Sequence, residues 1–237
     1  SLSLDGATRE THDRFRGLAG TFERTMQAVE KARAAGLGLQ VNTTLTRGNL
    51  SEFPAFRDLM FELRPEMWSV FVIVPTGRAG LADLPEPEDL ERVFEELADL
   101  AENAPFAVKT TEGHHFRRIL LQRGHGGARR RGMRSPLGIR DGRGILFLSH
   151  TGEITPSGFL PIACGNVRET DPGRVYREHP LFVTLRDSDA LGGKCGRCEY
   201  RQACGGSRSR AFGVSGDPMG EEPLCPYEPA RGLPAAT

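Results

Sequence analysis

Hydrophobic positions in the first half of the chain alternate between two spacings. Short apolar runs typical of strands are followed by apolar residues at helical spacing, and this exchange repeats several times. The strand-like runs are residues 2–4, 39–45, 68–74 and 106–110. Apolar residues at helical spacing follow these runs in four segments: Phe22, Met26 and Val29; Phe53, Phe56, Met60 and Leu63; Leu90, Val93, Phe94, Leu97 and Leu100; and residues 115–122. Strands alternating with helices at this interval predict parallel β–α units in an α/β fold.

Polar residues follow the predicted strands, and in parallel sheets function collects at the carboxyl ends of the strands. Asp5 follows the first strand, while Glu112, His114 and His115 follow the fourth. Each of them also has an ordinary interpretation, such as a turn at Asp5-Gly6. The two histidines fit helix-start or surface positions better than catalytic or metal-binding ones.

The pattern changes at residues 124–144, which are rich in glycine and arginine. An arginine cluster can bind phosphate or nucleic acid, but without interleaved aromatic residues a solvated, flexible loop is the better interpretation. Beyond it, residues 145–149 and 153–155 flank Thr151-Gly152 and predict a hairpin. Short helices and loops follow, and such a segment often depends on a metal centre for stability.

Length and charge restrict the class of protein. The chain has 237 residues, enough for one large domain or two modest ones. Lys plus Arg and Asp plus Glu number 31 each, so net charge favours neither nucleic acid nor a membrane as partner. No apolar run approaches the roughly 20 residues of a membrane span. We therefore expect a cytoplasmic protein.

The cysteines carry the strongest chemical signal. Cys195, Cys198, Cys204 and Cys225 form a C-x2-C-x5-C run closed by a fourth cysteine after a gap. Four thiolates suit a zinc ion or an iron–sulfur cluster. Disulfides would need an oxidising compartment, and the cysteine count is odd. The fifth cysteine, Cys164, fits either a further ligand or a buried small hydrophobic residue.

Both halves together resemble a radical S-adenosylmethionine enzyme with a C-terminal SPASM or twitch cluster domain, of the heme and heme d1 branch. Ser3-Leu4-Asp5-Gly6, with His12, Arg16-Gly17 and Gly20, is similar to the fourth strand of that family's partial (β/α)6 barrel and the loop after it. Residues 41–44 resemble its fifth strand and residues 72–78 its sixth. The more specific segments are residues 150–153, 165–168, 185–187 and 194–211.

The resemblance implies a domain organisation. Residues 1–122 would form the C-terminal part of the barrel, with strands 4 to 6 and the units after them. Residues 123–144 would be a linker loop, and residues 145–230 a small, irregular α+β SPASM or twitch iron–sulfur domain followed by a tail at 231–237. Since the chain begins in a strand and three or four β–α units cannot close a barrel, we expect a fragment or one module of a longer protein.

The resemblance also implies chemistry. In the family a first [4Fe–4S] cluster, held by C-x3-C-x2-C, reduces S-adenosylmethionine and releases a 5′-deoxyadenosyl radical that abstracts a substrate hydrogen atom. Ser3, Asp5, Arg16 and Asn42 match positions that contact S-adenosylmethionine. The implied ligands of one auxiliary [4Fe–4S] cluster are Cys195, Cys198, Cys204 and Cys225. The implied partners are a tetrapyrrole-like or peptide substrate and an electron donor such as flavodoxin or ferredoxin.

The chain departs from the family pattern at three points. No C-x3-C-x2-C is present, so the radical-generating cluster would lie upstream of Ser1 and the chain alone is expected to be inactive. Arg208 stands where fuller SPASM patterns have a further cysteine, and Pro156-Ser157 replaces another. These departures favour a single auxiliary cluster. The alternative is a non-enzymatic zinc-binding module fused to part of an α/β domain, because zinc uses the same thiolates.

Overall fold

The computed structural model of the protein describes residues 1–124 and 139–230. Its first half is built on a parallel sheet with strand order β1-β2-β3-β4. The strands are β1 (Leu2–Ser3), β2 (Gln40–Leu45), β3 (Met67–Val72) and β4 (Ala107–Thr111). The predicted parallel β–α units are therefore confirmed, with strand bounds shifted by one or two residues.

Helices connect these strands and cover the apolar face of the sheet. They are α1 (Arg9–Arg16), α2 (Thr21–Ala34), α3 (Phe53–Leu63), α4 (Pro87–Asn103) and α5 (Phe116–Gln122). Four of them match the predicted helical spacings. The apolar periodicity does not predict α1, which is defined by its ends. The Thr8 side chain accepts a hydrogen bond from Thr11 N–H, and Gly17 closes the helix with φ 68°.

Alternation along the strands separates two faces of the parallel sheet. On β2, Val41, Thr43 and Leu45 are buried, whereas Asn42 and Thr44 between them are half-buried. The buried face packs on the helices and forms one apolar core with Phe56, Met60, Trp68, Leu90, Phe94 and Leu97. On the other face, which we call the polar face, β2 carries Gln40, Asn42 and Thr44.

The second half has a smaller sheet and short helices. Strands β5 (Phe147–Leu148), β6 (Glu153–Thr155) and β7 (Gly165–Asn166) pair antiparallel in that order. The predicted hairpin is confirmed, and β7 extends it beyond the prediction. The helices are α6 (Pro172–Glu178), α7 (Pro180–Arg186), α8 (Gly193–Gly196) and α9 (Arg208–Ser215). Leu224 joins the apolar core of the parallel sheet, so the two halves share packing.

The predicted solvated loop at residues 124–144 is wrong at its end. Residues 125–138 lie outside the described residues, but Arg140 and Asp141 are 3% and 2% exposed. The Arg140 guanidinium donates to Arg201 O at 3.3 Å and Cys204 O at 3.4 Å, while Asp141 accepts from Ser209 N at 3.0 Å. Hydrogen bonds to the cysteine-bearing loop and to α9 therefore keep Arg140 and Asp141 buried.

Within residues 1–124 and 139–230, no helix combines the length and the apolar composition that crossing a membrane requires.

Candidate functional site

Four thiols converge on one pocket in the second half of the chain. Cys195 lies in α8, and Cys198 follows after a turn in which its N–H donates to Cys195 O at 3.3 Å. The next turn places Cys204, whose N–H donates to Tyr200 O at 2.8 Å. Cys225 comes from the C-terminal segment and lines the same pocket. The structure thus brings together all four cysteines that the sequence singled out.

Two glycines allow the loop after Cys204 to pass close to its neighbours. Gly205 and Gly206 have φ 66° and 62°, a left-handed conformation that favours glycine. A Cβ on Gly205 would lie 1.5 Å from Arg140 Nη1, and one on Gly206 would lie 2.7 Å from Glu222 Cβ. Gly206 N–H also points at Cys204 Sγ, at 3.5 Å. The loop therefore depends on glycine to set the position of this thiol.

Loss of contact with water favours the protonated form of three of these thiols. Burial raises the pKa of Cys204 to about 12 and that of Cys225 to about 11, and it also raises the pKa of Cys198. A thiol must lose its proton to bind a metal, so loading of this pocket releases protons and stabilises the fold around it.

The four thiols line one pocket and are the donors of a candidate metal or cluster site. In the part of the chain that the structure describes, no group of three or more His, Cys, Asp or Glu side chains is arranged to hold a metal ion. A tetrahedral zinc ion holds each sulfur about 2.3 Å away and so draws four thiolates close together. A four-iron cluster holds its thiolates farther apart. Four thiol donors suit a thiolate-bound cluster as well as they suit zinc.

Cationic side chains surround the thiols. Arg118, Lys194 and Arg201 line the pocket. Arg118 donates to both Glu91 carboxylate oxygens at 2.5 and 2.6 Å and lies 4.8 Å from the Tyr227 ring centre. These groups offset the negative charge that four thiolates bring into a partly buried site.

A buried arginine joins the thiol region to the parallel sheet. Arg210, at 0% exposure, uses donors from all three of its nitrogens. Its Nε donates to Ile73 O at 3.1 Å, and its Nη2 donates to Val72 O at 3.3 Å and Glu112 O at 2.6 Å. Its Nη1 lies 2.9 Å from both carboxylate oxygens of Glu222. The carboxyl ends of β3 and β4 are thereby tied to the C-terminal segment.

Glu222 extends this connection to the first cysteine. Its carboxylate accepts from Ser207 N at 2.7 Å and Leu224 N at 3.0 Å. Its own N–H donates to Cys195 Sγ at 3.3 Å. A continuous set of hydrogen bonds thus runs from the sheet ends through Arg210 and Glu222 to a thiol.

Glu112, which follows β4, has a strained backbone conformation and a carboxyl group with a raised pKa. It has φ 56°, in a region that non-glycine residues seldom occupy. Burial raises the pKa of its carboxyl to about 8, and the neighbouring Asp141 carboxylate acts in the same direction. Ser207 Oγ donates a short hydrogen bond to it. The site therefore holds a carboxyl group that is protonated near neutral pH.

A row of polar side chains crosses the polar face of the parallel sheet. Ser3 on β1 pairs with Asn42 on β2, which pairs with Ser69 on β3, which pairs with Lys109 on β4. Residues in register share a face. The Ser69 hydroxyl is buried and has no hydrogen-bond partner. This face is thus suited to a polar ligand.

Asp5 and Arg16 lie next to that row. Arg16 Nη2 is 2.5 Å from Asp5 Oδ2, and Thr44 N–H donates to Asp5 Oδ1 at 2.7 Å. Burial raises the pKa of Asp5, although the Thr44 N–H and the Arg16 guanidinium oppose the shift. The structure therefore places Ser3, Asp5, Arg16 and Asn42, the four residues that the sequence grouped, at one end of the sheet.

The comparisons with known proteins identify the family. No family model matches the chain. It is 39% identical over 248 residues to the AdoMet-dependent heme synthase of Oleidesulfovibrio alaskensis, covering 100% of this chain and 63% of that protein. It is 37% identical over 241 residues to the AdoMet-dependent heme synthase of Methanosarcina barkeri, covering 98% of this chain and 68% of that protein. The chain belongs to the radical S-adenosylmethionine family.

Solved structures show the radical S-adenosylmethionine fold. SuiB of Streptococcus suis matches with a TM-score of 0.65 at 16% identity, over 95% of this chain and 54% of that chain. SuiB has also been solved with S-adenosylmethionine and with the precursor peptide SuiA. At this identity the likeness shows the fold alone, a partial barrel of parallel strands and helices. The chain spans less than two thirds of its first heme synthase relative, at 63%.

Three other residues that the sequence of this radical S-adenosylmethionine chain singled out, His114, His115 and Cys164, do not line the thiol pocket. His114 and His115 are not surface residues, since they are 3% and 0% exposed and neither ring has a hydrogen-bond partner. Burial lowers the pKa of both rings, that of His115 to about 3. Cys164 packs in a separate apolar cluster with Phe182 and does not line the thiol pocket. It is a buried small residue here.

Sequence reasoning missed several residues of the site. Arg210, Glu222 and Ser69 were not candidates, although all three are buried and polar. Only Ser69 is marked in the sequence, because it is a polar residue within the apolar run of β3. The arginine and the glutamate lie in polar segments whose burial depends on pairing across the fold.

Proposed function

We propose that the chain is part of an enzyme that applies radical S-adenosylmethionine chemistry to an iron tetrapyrrole and holds one auxiliary [4Fe–4S] cluster. The supporting observation is the pocket of four thiols, tied by Arg210 and Glu222 to the carboxyl ends of β3 and β4. In this proposal residues 1–122 belong to the barrel and residues 145–230 to the SPASM or twitch domain.

The thiol pocket would hold the auxiliary cluster on Cys195, Cys198, Cys204 and Cys225. When bound, the family's clusters and S-adenosylmethionine supply one-electron reduction and a carbon radical that abstracts hydrogen. The chain's own residues deprotonate to bind the cluster, offset its charge through Arg118 and Lys194, and fix it relative to the sheet. An electron donor such as flavodoxin or ferredoxin and a cytoplasmic setting belong to the same proposal.

The polar face of the sheet would bind S-adenosylmethionine. Ser3 and Asn42 offer a hydroxyl and an amide from neighbouring strands, and Asp5 with Arg16 offers opposite charges. S-adenosylmethionine carries hydroxyl, ammonium and carboxylate groups, which these side chains complement. The partner-free hydroxyl of Ser69 lies in the same row and adds a further donor.

The substrate assignment depends on the relatives. The heme synthases match nearly all of this chain at 37–39% identity, which favours a tetrapyrrole. A peptide is the second candidate, because SuiB has been solved with its precursor peptide bound. The zinc-module alternative is less well supported, since the relatives that match nearly all of this chain are named AdoMet-dependent heme synthases.

Titration of the cluster-loaded chain with iron coproporphyrin III under anaerobic conditions tests this proposal. We expect saturable binding, seen as a shift of the porphyrin absorption band, because the chain contains the thiol region and part of the barrel. The SuiA precursor peptide should not compete. A chain that binds the peptide and leaves the porphyrin spectrum unchanged would contradict the tetrapyrrole assignment and favour the peptide.

A further inference from the structure

Arg208 turns its side chain towards the thiol pocket. It begins α9 and is 2% exposed. Its Nη2 lies 4.0 Å from Cys195 Sγ, at the limit of hydrogen-bonding range for sulfur. A cationic side chain thus contacts one of the four candidate ligands.

The guanidinium of Arg208 is held in place by main-chain groups. Its Nη1 donates to Pro218 O at 3.1 Å and, by a short hydrogen bond, to Gly220 O. Both contacts leave Nη2 directed at sulfur. Because carbonyls fix one side of the planar group, the geometry at Cys195 does not depend on a mobile side chain.

Arg208 has no carboxylate partner among the described residues. Three other buried or pocket-lining arginines have one: Arg118 pairs with Glu91, Arg201 with Asp189, and Arg210 with Glu222. The buried Arg140 is instead held by carbonyl and hydroxyl oxygens. The Nε of Arg208 is also buried without a hydrogen-bond partner. A charge that is buried without a counter-charge destabilises the fold, as happens when one partner of a buried ion pair is removed. A negatively charged thiolate group at Cys195 is the counter-charge that this position lacks.

Cys195 receives a second donor on the same sulfur. Glu222 N–H lies 3.3 Å from Cys195 Sγ, and Glu222 is itself fixed by Arg210. Cys204 receives one N–H, from Gly206 at 3.5 Å. Hydrogen bonds and nearby positive charge at the sulfurs raise the reduction potential of an iron–sulfur cluster. Among the described residues, Cys195 is the thiol whose sulfur lies within hydrogen-bonding range of a cationic side chain.

We propose that Arg208 is a tuning residue that makes the auxiliary cluster easier to reduce through its contact with Cys195. This inference rests on the proposed function. When a low-potential one-electron donor reduces the cluster, the negative charge on the thiolate-bound group rises by one unit. Arg208 stabilises that added charge in a region where water screens little. The auxiliary site is then an electron-accepting site and has more than a structural role.

The test compares Arg208→Gln with Arg197→Gln in the anaerobically reconstituted chain. Each variant removes one positive charge from the region of the cysteines, but the Arg197 side chain is 55% exposed and pairs with Glu228. Iron and sulfide analysis first confirms loading, and EPR-monitored titration then gives the midpoint potential. We expect Arg208→Gln to lower the equilibrium constant for reduction about tenfold, about 59 mV for a one-electron couple. Arg197→Gln should change it much less.

A third variant separates tuning from folding. Arg208→Lys keeps the charge but loses the planar geometry, so its potential should fall between those of the wild type and Arg208→Gln. An Arg208→Gln chain that holds its iron and sulfide but keeps the wild-type potential would overturn the inference. Loss of iron from both Arg208→Gln and Arg208→Lys would also overturn it, because Arg208 would then be a structural residue. A wild-type chain that takes up no iron and sulfide would instead overturn the proposed function.

Discussion

The two halves of the molecule are stabilised by different forces. Around the parallel sheet, large apolar side chains such as Phe56, Trp68 and Leu97 form a continuous core. The separate apolar cluster of the second half consists of Ile154, Cys164, Val175 and Phe182, with a few partly buried neighbours. Hydrophobic burial thus explains the first half, because each fully buried large side chain contributes about 1.5–3 kcal/mol.

The thiol region instead buries charge. Arg208, Arg210 and Glu222 are each at most 2% exposed and are held by hydrogen bonds to carbonyls, carboxylates or sulfur. Buried ion pairs contribute little net stability, since desolvation offsets their attraction. The sheet thus folds on apolar packing, whereas we expect the thiol region to need a bound group for its full stability.

Cys204→Ser should separate the two halves most strongly. Removing one of four thiolates should unload the cluster, and structural thiolate sites contribute on the order of 10 kcal/mol to folding. The single tryptophan, Trp68, reports on the sheet core, so its fluorescence should keep its native character. Iron content and hydrogen exchange of residues 193–225 should show the loss.

Cys164→Ser is the matched control for that variant, because Cys164 lies outside the pocket. It should keep the iron content of the wild type. Unchanged metal content and thermal stability in Cys204→Ser would show that the ligand assignment is wrong.

Arg210→Met should uncouple the halves with the next largest effect. It leaves the Glu222 carboxylate buried without its partner, which costs about 3–5 kcal/mol. Denaturation followed by Trp68 fluorescence and by cluster absorbance should then give two separate transitions. Arg92→Met, which removes an exposed partner of Asp89, should cost less than about 1 kcal/mol. Coincident transitions in Arg210→Met would contradict the connecting role of this residue.

Glu112 should give a smaller, pH-dependent effect at the same junction. Its pKa is raised to about 8 from an ordinary value of 4.5, so the folded chain keeps a proton that the unfolded chain has lost. The free energy of unfolding should therefore fall as pH rises from 4.5 to 8, by about 1.4 kcal/mol for each unit of the pKa difference between the folded and unfolded chain.

Glu112→Gln should remove this pH dependence, because the amide does not titrate and still accepts from Ser207. Denaturant titrations between pH 5 and about 9 check the expectation. The exposed control Glu10→Gln should leave the slope unchanged. An identical pH slope in Glu112→Gln and the wild type would assign the effect to other groups.

The sequence predicted the sheet region well because its signals are local. Apolar periodicity marks the strands and the helices α2 to α5, since their buried faces follow from side-chain spacing. It does not mark α1, whose segment is mostly charged and polar. That helix is set by capping at Thr8 and Gly17 and by burial of His12.

The thiol site was predictable only in part. Cysteine spacing identified the four thiols, since close thiols have few other uses in a chain of this kind. The buried state of Arg140, Arg208 and Arg210 was not predictable, because isolated arginines in polar segments are usually exposed. Their burial depends on carbonyls and carboxylates that are distant in sequence, such as Glu112 O for Arg210.

Metal analysis tests the central claim most directly. The chain is purified without oxygen, reconstituted with iron and sulfide, and analysed for iron, sulfide and zinc per polypeptide. The account predicts about four irons and four sulfides, lost in Cys204→Ser and retained in Cys164→Ser. About one zinc with no sulfide would contradict it and make the thiol region a structural zinc module.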